Sequence, residues 1–348
     1  MKFKKVVMAG VLAATAIFGS FGLSACSRDT VTIRVFNWGD FIDPVVLEMF
    51  TEETGIRITY TTYDSNETMY ARIQNTSFDV LFPSDFMISR LIEEDLLQEL
   101  NFDNIPNFVN IGDRFRGLAY DPYDRFSVVY KWGTVGILYN TTMVSEPITS
   151  WASMFDPQYA GQIFMYDSMR DSFVVALRML GYSINTTNIN ELHAARDLLI
   201  SQRPLVLAYV GDDVKDRMIG GEAALALVYS GDALFAQRYN PDLNYVIPIE
   251  GSNVWYDAMV IPRNARNVTE AEMFINFMLR PDIAAMNVAY VGFTTANEAA
   301  LRLIDPVIAN NPIFWPSDEE YYRCEVFVHL GDFTREFDRA FTEVMASR

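Results

Sequence analysis

Two spacings of apolar residues take turns along the chain. Short runs rich in β-branched and aromatic residues alternate with segments whose apolar positions recur every three or four residues, the first a strand signal and the second a helix signal. Residues 31–36 predict a buried strand, residues 56–63 a second and residues 78–82 a third. Between them, Asp43-Pro44 opens a helix that runs to Glu53 and stops at Thr54-Gly55, an acid followed by proline being ordinary helix-start chemistry. Ser65-Asn66-Glu67 starts another helix ending near Gln74, and Pro83-Ser84-Asp85 leads into one carrying Ile88, Leu91, Ile92, Leu96 and Leu97. The βαβαβα order is the mark of a parallel sheet with helices on its faces.

The pattern resumes past residue 150. Residues 151–155 predict a helix, 162–166 a strand, 172–180 a helix, 189–202 an amphipathic helix and 205–209 a strand. Ile219-Gly220-Gly221-Glu222 reads as a turn ahead of a small-residue strand over 223–229, and 255–261 is again strand-like. A chain of 348 residues accommodates two such α/β units. No repeat, low-complexity tract or flexible linker separates them. Two units that share several chain crossings would have no single composition break.

The N-terminal segment departs from this pattern. Lys2, Lys4 and Lys5 precede an uncharged apolar or small stretch over 6–22, and Leu23-Ser24-Ala25-Cys26 follows at once. That order is a signal peptide of the lipoprotein type over 1–25, with Cys26 as the lipidation site and 26–30 as a tether. The mature protein is then exported and membrane-anchored rather than membrane-spanning, in the periplasm or on the cell surface. An ordinary secretory signal with a chance cysteine is the alternative. With Cys26 lipidated, Cys324 has no partner for an intramolecular disulfide, so stability rests on the core.

Charge narrows the partners. The chain carries −18, and removing Lys2, Lys4 and Lys5, with no acid among residues 1–25, takes the mature part to −21. Nucleic acid is excluded by that balance, since phosphate backbones demand Lys and Arg. The only histidines are His193 and His329, and no phosphate loop, dinucleotide fingerprint or His-Glu-x-x-His motif occurs. No metal, cofactor or catalytic residue is therefore expected, and the chain reads as a binding protein rather than an enzyme. Paired carboxylates leave a hydrolase as the enzymatic alternative.

In open α/β sheets the loops after the strands make the binding crevice. Here those loops read Asn37-Trp38-Gly39-Asp40-Phe41, Pro83-Ser84-Asp85-Phe86, Tyr166-Asp167-Ser168-Met169-Arg170-Asp171 and Tyr229-Ser230-Gly231-Asp232, and near the return between the units lies Val254-Trp255-Tyr256-Asp257. Each pairs an aromatic with a carboxylate. The pairing suits an alkylammonium, which is attracted to ring faces, donates charge-assisted hydrogen bonds to carboxylates, and carries methylenes that gain from leaving water. Aspartates at strand ends also serve as helix caps, so Asp40 and Asp85 have two readings.

At these loops the chain resembles the polyamine-binding proteins of ABC importers, of the spermidine/putrescine type. The resemblance is carried by Asn37-Trp38, by Phe50-Thr51-Glu52-Glu53-Thr54-Gly55-Ile56, and by Tyr63-Asp64-Ser65-Asn66-Glu67-Thr68-Met69-Tyr70-Ala71. It continues through Tyr130-Lys131-Trp132-Gly133-Thr134, Leu180-Gly181-Tyr182-Ser183, Ile261-Pro262 and Leu279-Arg280-Pro281-Asp282. It implies a two-lobed α/β fold of the type II periplasmic-binding-protein class, each lobe a sheet flanked by helices, with the ligand cleft between. Residues 31–133 and 256–302 would form one lobe, and 134–255 and 303–348 the other. The contact positions it implies are Trp38, Asp40, Phe41, Ser84, Phe86, Asp171, Tyr229, Trp255, Asp257 and Phe293, with Asp85 added as the neighbour of Ser84. The implied partners are putrescine or spermidine and the permease and ATPase subunits of an importer, with the protein itself a monomer.

Departures from that family's pattern bear on the ligand. Asp40 and Asp171 stand where Glu is familiar, and Phe41, Phe86 and Phe293 where Tyr is common. Tyr229 replaces a Trp, Ser168 an acid, Gly39 and Gly211 hydroxyl residues, and Phe327 a late polar contact. Fewer polar groups at the distal end favour a short diamine, putrescine, over spermidine. A same-fold protein for another solute remains a rival. An anionic solute would need a cleft cation, for which Arg170 is the obvious candidate.

Overall fold

The computed structural model describes residues 30–39 and 41–347. Its elements run β1 Thr32–Trp38, α1 Pro44–Thr54, β2 Arg57–Tyr63, α2 Asn66–Ile73, β3 Val80–Leu81, α3 Asp85–Glu93 and β4 Ser127–Asn140. Next come β5 Ile163–Tyr166, α4 Met169–Met179, α5 Ile189–Gln202, β6 Val206–Val210, α6 Val214–Ile219, β7 Leu225–Tyr229, α7 Ser230–Tyr239 and β8 Leu243–Val246. The chain ends with β9 Val254–Val260, α8 Val268–Met278, α9 Pro281–Val291, β10 Thr294–Thr295, α10 Pro306–Ala309, α11 Asp318–Tyr322 and α12 Thr334–Ala346.

Local chemistry explains the early boundaries. The Asp43 carboxylate accepts from the Val45 amide, Pro44 fills the first turn of α1, and Gly55 ends the helix at φ +74°, a conformation cheap only for glycine. Ser65 caps α2 by accepting from Thr68 N. The third predicted strand shrinks to Val80–Leu81. Beside it, Asp79 turns its carboxylate to the amides of Arg34, Arg266 and Asn267, tying loops rather than extending a ladder. Residues 151–155 form the predicted helix, of the 3-10 type, which ends where Pro157 keeps the preceding Asp156 extended.

The strands line up as β2-β1-β3-β9-β4-β7-β5-β6, with β10 and β8 also on β4. Strands β1–β3 are mutually parallel, as are β5–β7, while β9 and β7 run antiparallel to β4. The first half of β4 pairs with β9 and β10, the second half with β7 and β8. This strand was not picked out from the pattern. All of its residues are buried, so it has no polar–apolar alternation, and Lys131, Gly133 and Gly136 interrupt its apolar run.

Two hydrophobic cores part within β4, between Trp132 and Val135. One gathers residues of β1–β3, α1, α8 and β9; the other gathers residues of β5–β7, α4, α5 and α12. Between the cores the chain crosses in β4, again between Leu243 and Val254, and again between Ala296 and Ile304. Phe86 and Trp315 pack against both. The missing linker has its reason here: the halves are joined by strands and packed segments. Among the described residues no helix is long and apolar enough to cross a membrane.

Candidate functional site

The carboxyl ends of β1 and β3 and the middle of β9 converge at Asp257. Ser84, the residue before α3, forms a bridge with Asp257 across the sheet and donates its hydroxyl to Asp257 Oδ1 at 2.7 Å. Asn66, at the start of α2, grips Ser84 twice: its amide donates to Ser84 Oγ at 3.1 Å, and its Oδ1 accepts from Ser84 N at 3.1 Å. Asp257 is only 6% exposed. Burial pushes its carboxyl up to about 7, with the Ser84 hydrogen bond pulling the other way. A carboxylate in that state gains most from a cation that arrives and stays.

Asp85, expected as a contact beside Ser84, has its carboxylate on backbone amides. It is fully buried, and its oxygens accept from the amides of Phe86, at 2.6 Å, and Tyr256, at 3.1 Å. It therefore braces α3 against β9 and positions the Ser84–Asp257 pair. Its carboxyl is raised well above the usual range by burial, against those two amides.

A second carboxylate is built the same way at the end of β5. Asp171 sits in the first turn of α4, where the helix dipole favours negative charge. Ser168 Oγ donates to Asp171 Oδ2 at 2.6 Å and Tyr229 OH donates to the same oxygen at 2.7 Å. Burial raises its carboxyl, opposed by Ser168, Tyr229 and the nearby Arg170. Arg170 itself turns away. Its guanidinium donates to Ile184 O, Asn185 Oδ1 and Val328 O and stacks 4.2 Å from the Phe327 ring. The cation that an anionic solute would need is thus engaged by backbone and by a buried ring. Phe327 lies in the second core beneath it rather than as an open contact.

A file of rings begins at Tyr229, the partner of Asp171. Tyr229 and Trp255 have centroids 6.0 Å apart, Trp255 and Phe293 5.6 Å, and Phe293 and Phe41 6.1 Å. Glycines make room for it. A Cβ on Gly133 would lie 2.6 Å from the Trp255 ring, and one on Gly231 would overlap Phe293. The register shift in β4 around Tyr130 aims that side chain at Phe41, whose carbonyl accepts from Tyr130 OH at 2.8 Å. Trp38 caps the first-core end: its Nε1 donates to Phe82 O at 2.9 Å and its ring lies 4.6 Å from Tyr63. Phe86, touching both cores, closes the set.

Contacts thus join Asp171, Tyr229, Trp255, Phe293 and Phe41 in one file and Ser84 to Asp257, while Trp38 packs on Tyr63, Phe86 touches both cores and Asp85 lies beside Ser84. Asp40 and Cys26 lie outside the described residues. Sequence reasoning passed over Asn66, Tyr63 and Tyr130 as site residues. Asn66 stood inside the Ser-Asn-Glu-Thr-Met-Tyr-Ala run that carried the resemblance, and its spacing from Ser84 gave no sign of their pairing. Among the described residues no group of three or more His, Cys, Asp or Glu could hold a metal ion.

Comparison with known proteins adds an independent line. The model of the family described as "Bacterial extracellular solute-binding protein" matches residues 46–316. The spermidine/putrescine-binding periplasmic protein of Salmonella typhimurium is 34% identical over 343 residues, spanning 97% of this chain and 98% of that protein. The crystal structure of the spermidine/putrescine ABC transporter substrate-binding protein PotD from Streptococcus pneumoniae superposes with a TM-score of 0.85 at 38% identity, covering 91% of this chain and 99% of that one. The Tp0655 lipoprotein of Treponema pallidum superposes with a TM-score of 0.81 at 25% identity, covering 90% and 99%. The two-lobed α/β fold and the matched family agree, and the chain belongs to the bacterial extracellular solute-binding proteins.

Proposed function

We propose that this protein captures a linear polyamine outside the cytoplasm, with putrescine preferred over spermidine, and hands it to the permease and ATPase subunits of an ABC importer. The observation that carries the reading is the pair of buried carboxylates, Asp257 and Asp171, each oriented by hydroxyl donors, with a file of aromatic rings running from Asp171 through Trp255, two residues from Asp257 on β9. A diamine has that form in complement, with an ammonium at each end and an apolar stem between. Trp38, Phe41, Phe86, Tyr229, Trp255 and Phe293 wall the stem; Ser84 and Asp85 position the acid at one end. Asp40 is the further ligand carboxylate that the resemblance implies. The lobes of 31–133 with 256–302, and 134–255 with 303–348, close on the ligand as a monomer, and Cys26 tethers them to a membrane by its lipid. No chemistry is performed on the ligand.

Titration calorimetry with putrescine, spermidine, amino acids and sugars tests this. Saturable 1:1 binding of the amines alone is expected, with the ligand recovered unchanged from the complex. Binding of a sugar or amino acid in preference would sink the amine assignment, and turnover would make the protein an enzyme. The anchor has its own test. Cys26→Ser should move the exported protein from the membrane fraction to the soluble fraction, and unchanged membrane association would remove the lipid from the account.

A further inference from the structure

Beyond Asp171 the same end of the cleft holds another carboxylate. Tyr229, which donates to Asp171, has its ring 5.0 Å from that of Tyr166. Tyr166 OH in turn donates to Asp232 Oδ2 at 3.3 Å. Asp232 sits in the first turn of α7, directly after the β7 end that carries Tyr229. It is 8% exposed, and burial holds its carboxyl up at about 6. Asp171, Tyr229, Tyr166 and Asp232 thus make a track of contacts, hydrogen-bonded at each end and ring to ring in the middle, that branches from the aromatic file at Tyr229.

That track already ends in an amine. Lys215, in the first turn of α6, reaches over so that its Nζ lies 3.6 Å from Asp232 Oδ1. Its side chain is about one-third exposed while that of Asp232 is nearly covered. The Lys215 ammonium also lies 5.8 Å from the Phe235 ring centroid. A lysine side chain is a four-carbon primary alkylammonium, the same chemical type as the end of a linear polyamine. Tethered in place, it meets Asp232 at a high effective concentration, which a free ligand must outcompete.

We infer that the Lys215–Asp232 ion pair sets the length of ligand the cleft accepts, Lys215 acting as a built-in substitute for the third amine of a triamine. This rests on the polyamine reading and deepens it. A diamine engages Asp257 and Asp171 and stops short of the pair. A triamine would carry its third ammonium toward Asp232. There it finds the carboxylate taken and a like charge beside it, an arrangement that selects by repulsion as much as by attraction. The track explains the distal end better than the loss of polar groups at Ser168, Gly211 and Phe327, since it supplies an element that acts against the longer ligand.

The test is the spermidine-to-putrescine affinity ratio, measured by calorimetry in the full mature protein, in Lys215→Ala, and in Lys215→Ala/Asp232→Asn. The single variant frees Asp232, and the ratio is expected to rise about tenfold or more. The double variant removes the freed carboxylate, and the ratio should fall back to within about threefold of the parent. An unchanged ratio in the single variant overturns the inference. So does a rise that survives in the double variant, because then only the loss of a distant positive charge was being read. Lys215 is partly exposed and both changes are small, so melting temperature serves to verify folding of each variant. A parent protein that binds neither amine overturns the polyamine reading and this inference together; a parent that binds putrescine with an unresponsive ratio overturns this inference alone.

Discussion

Burial makes a single residue's charge conditional on its partner, and Asp257 and Lys131 show opposite sides of that rule. Asp257 sits near 7 when alone because water is excluded from it. A bound ammonium favours the ionised form, so binding lowers that value and expels a proton when the pH is near or below 7. Affinity for putrescine should then be flat above about pH 8 and fall as pH drops through about 7, by up to tenfold per unit. Calorimetry in buffers of different ionisation enthalpy reads both the affinity and the released proton; proton uptake on binding would contradict the assignment. Asp257→Asn should cost about 2–5 kcal/mol of binding free energy and flatten the pH profile. Lys131 is the reverse case. It is 1% exposed, its Nζ has no hydrogen-bond partner among the described residues, and burial lowers its ammonium to about 7. Beside it lies a small enclosed cavity lined by Tyr130, Asn287 and Thr295. The folded value lies below that of the unfolded chain, so the unfolded state binds more protons between about pH 7 and 10.5. Stability therefore rises with pH across that window and is lowest below it. Lys131→Met should stabilise the fold by on the order of 2 kcal/mol near pH 6 and by less near pH 9, as read by urea denaturation at the two pH values. Equal gains at both would mean that Lys131 is charged throughout.

At the scale of elements, the site is an assembly of strand ends and helix first turns, and the glycines show how tightly they meet. Gly231, at the start of α7, lies so close to Phe293 that a Cβ would occupy the ring's place. Gly231→Ala should lower stability by about 1–3 kcal/mol through overpacking and weaken ligand binding by displacing Phe293 from Trp255. Adding Phe293→Ala should restore the melting temperature while leaving binding weak. Recovery of both would show that Phe293 is not a wall of the cleft. The strand ends were legible in the sequence because β1 and β2 carry dense β-branched and aromatic runs, and because Asp43, Pro44, Gly55 and Ser65 punctuate the helices between them. Strand β4 was not, since a strand buried on every side has no period to read and Gly133 and Gly136 look like turns. Their real reason is tertiary: each lies against a ring, Trp255 or Tyr245. The same limit separates Asp85 from Asp257. Both are aspartates beside an aromatic, and only the fold turns one toward backbone amides and the other toward the Ser84 hydroxyl. Asp232 was visible as an acidic loop residue, but its lysine partner comes from α6, 17 positions upstream, beyond any local pattern.

For the molecule as a whole, the net charge of −18 has a kinetic rather than a structural meaning. Asp257 and Asp171, proposed to hold the ligand, are buried, so salt in the solvent screens them weakly once the ligand is seated. The remaining acids sit largely on the surface, and their summed field reaches into solvent over a Debye length of about 10 Å at 0.1 M ionic strength. A dication approaching such a protein is drawn toward it before any contact forms, and that attraction is what added salt removes. Capture and retention should therefore respond differently to ionic strength. Raising it from about 10 mM to about 300 mM should slow putrescine association about tenfold while changing dissociation less than about twofold. Stopped-flow fluorescence can separate the two rates, because Trp38 and Trp255 stand in the aromatic set and report on occupancy. A neutral diol of the same chain length is the control for viscosity and general salt effects on the cleft. If dissociation instead accelerates as much as association slows, the holding carboxylates are open to solvent. The picture of a dry, length-selective cleft inside an acidic surface would then have to be given up.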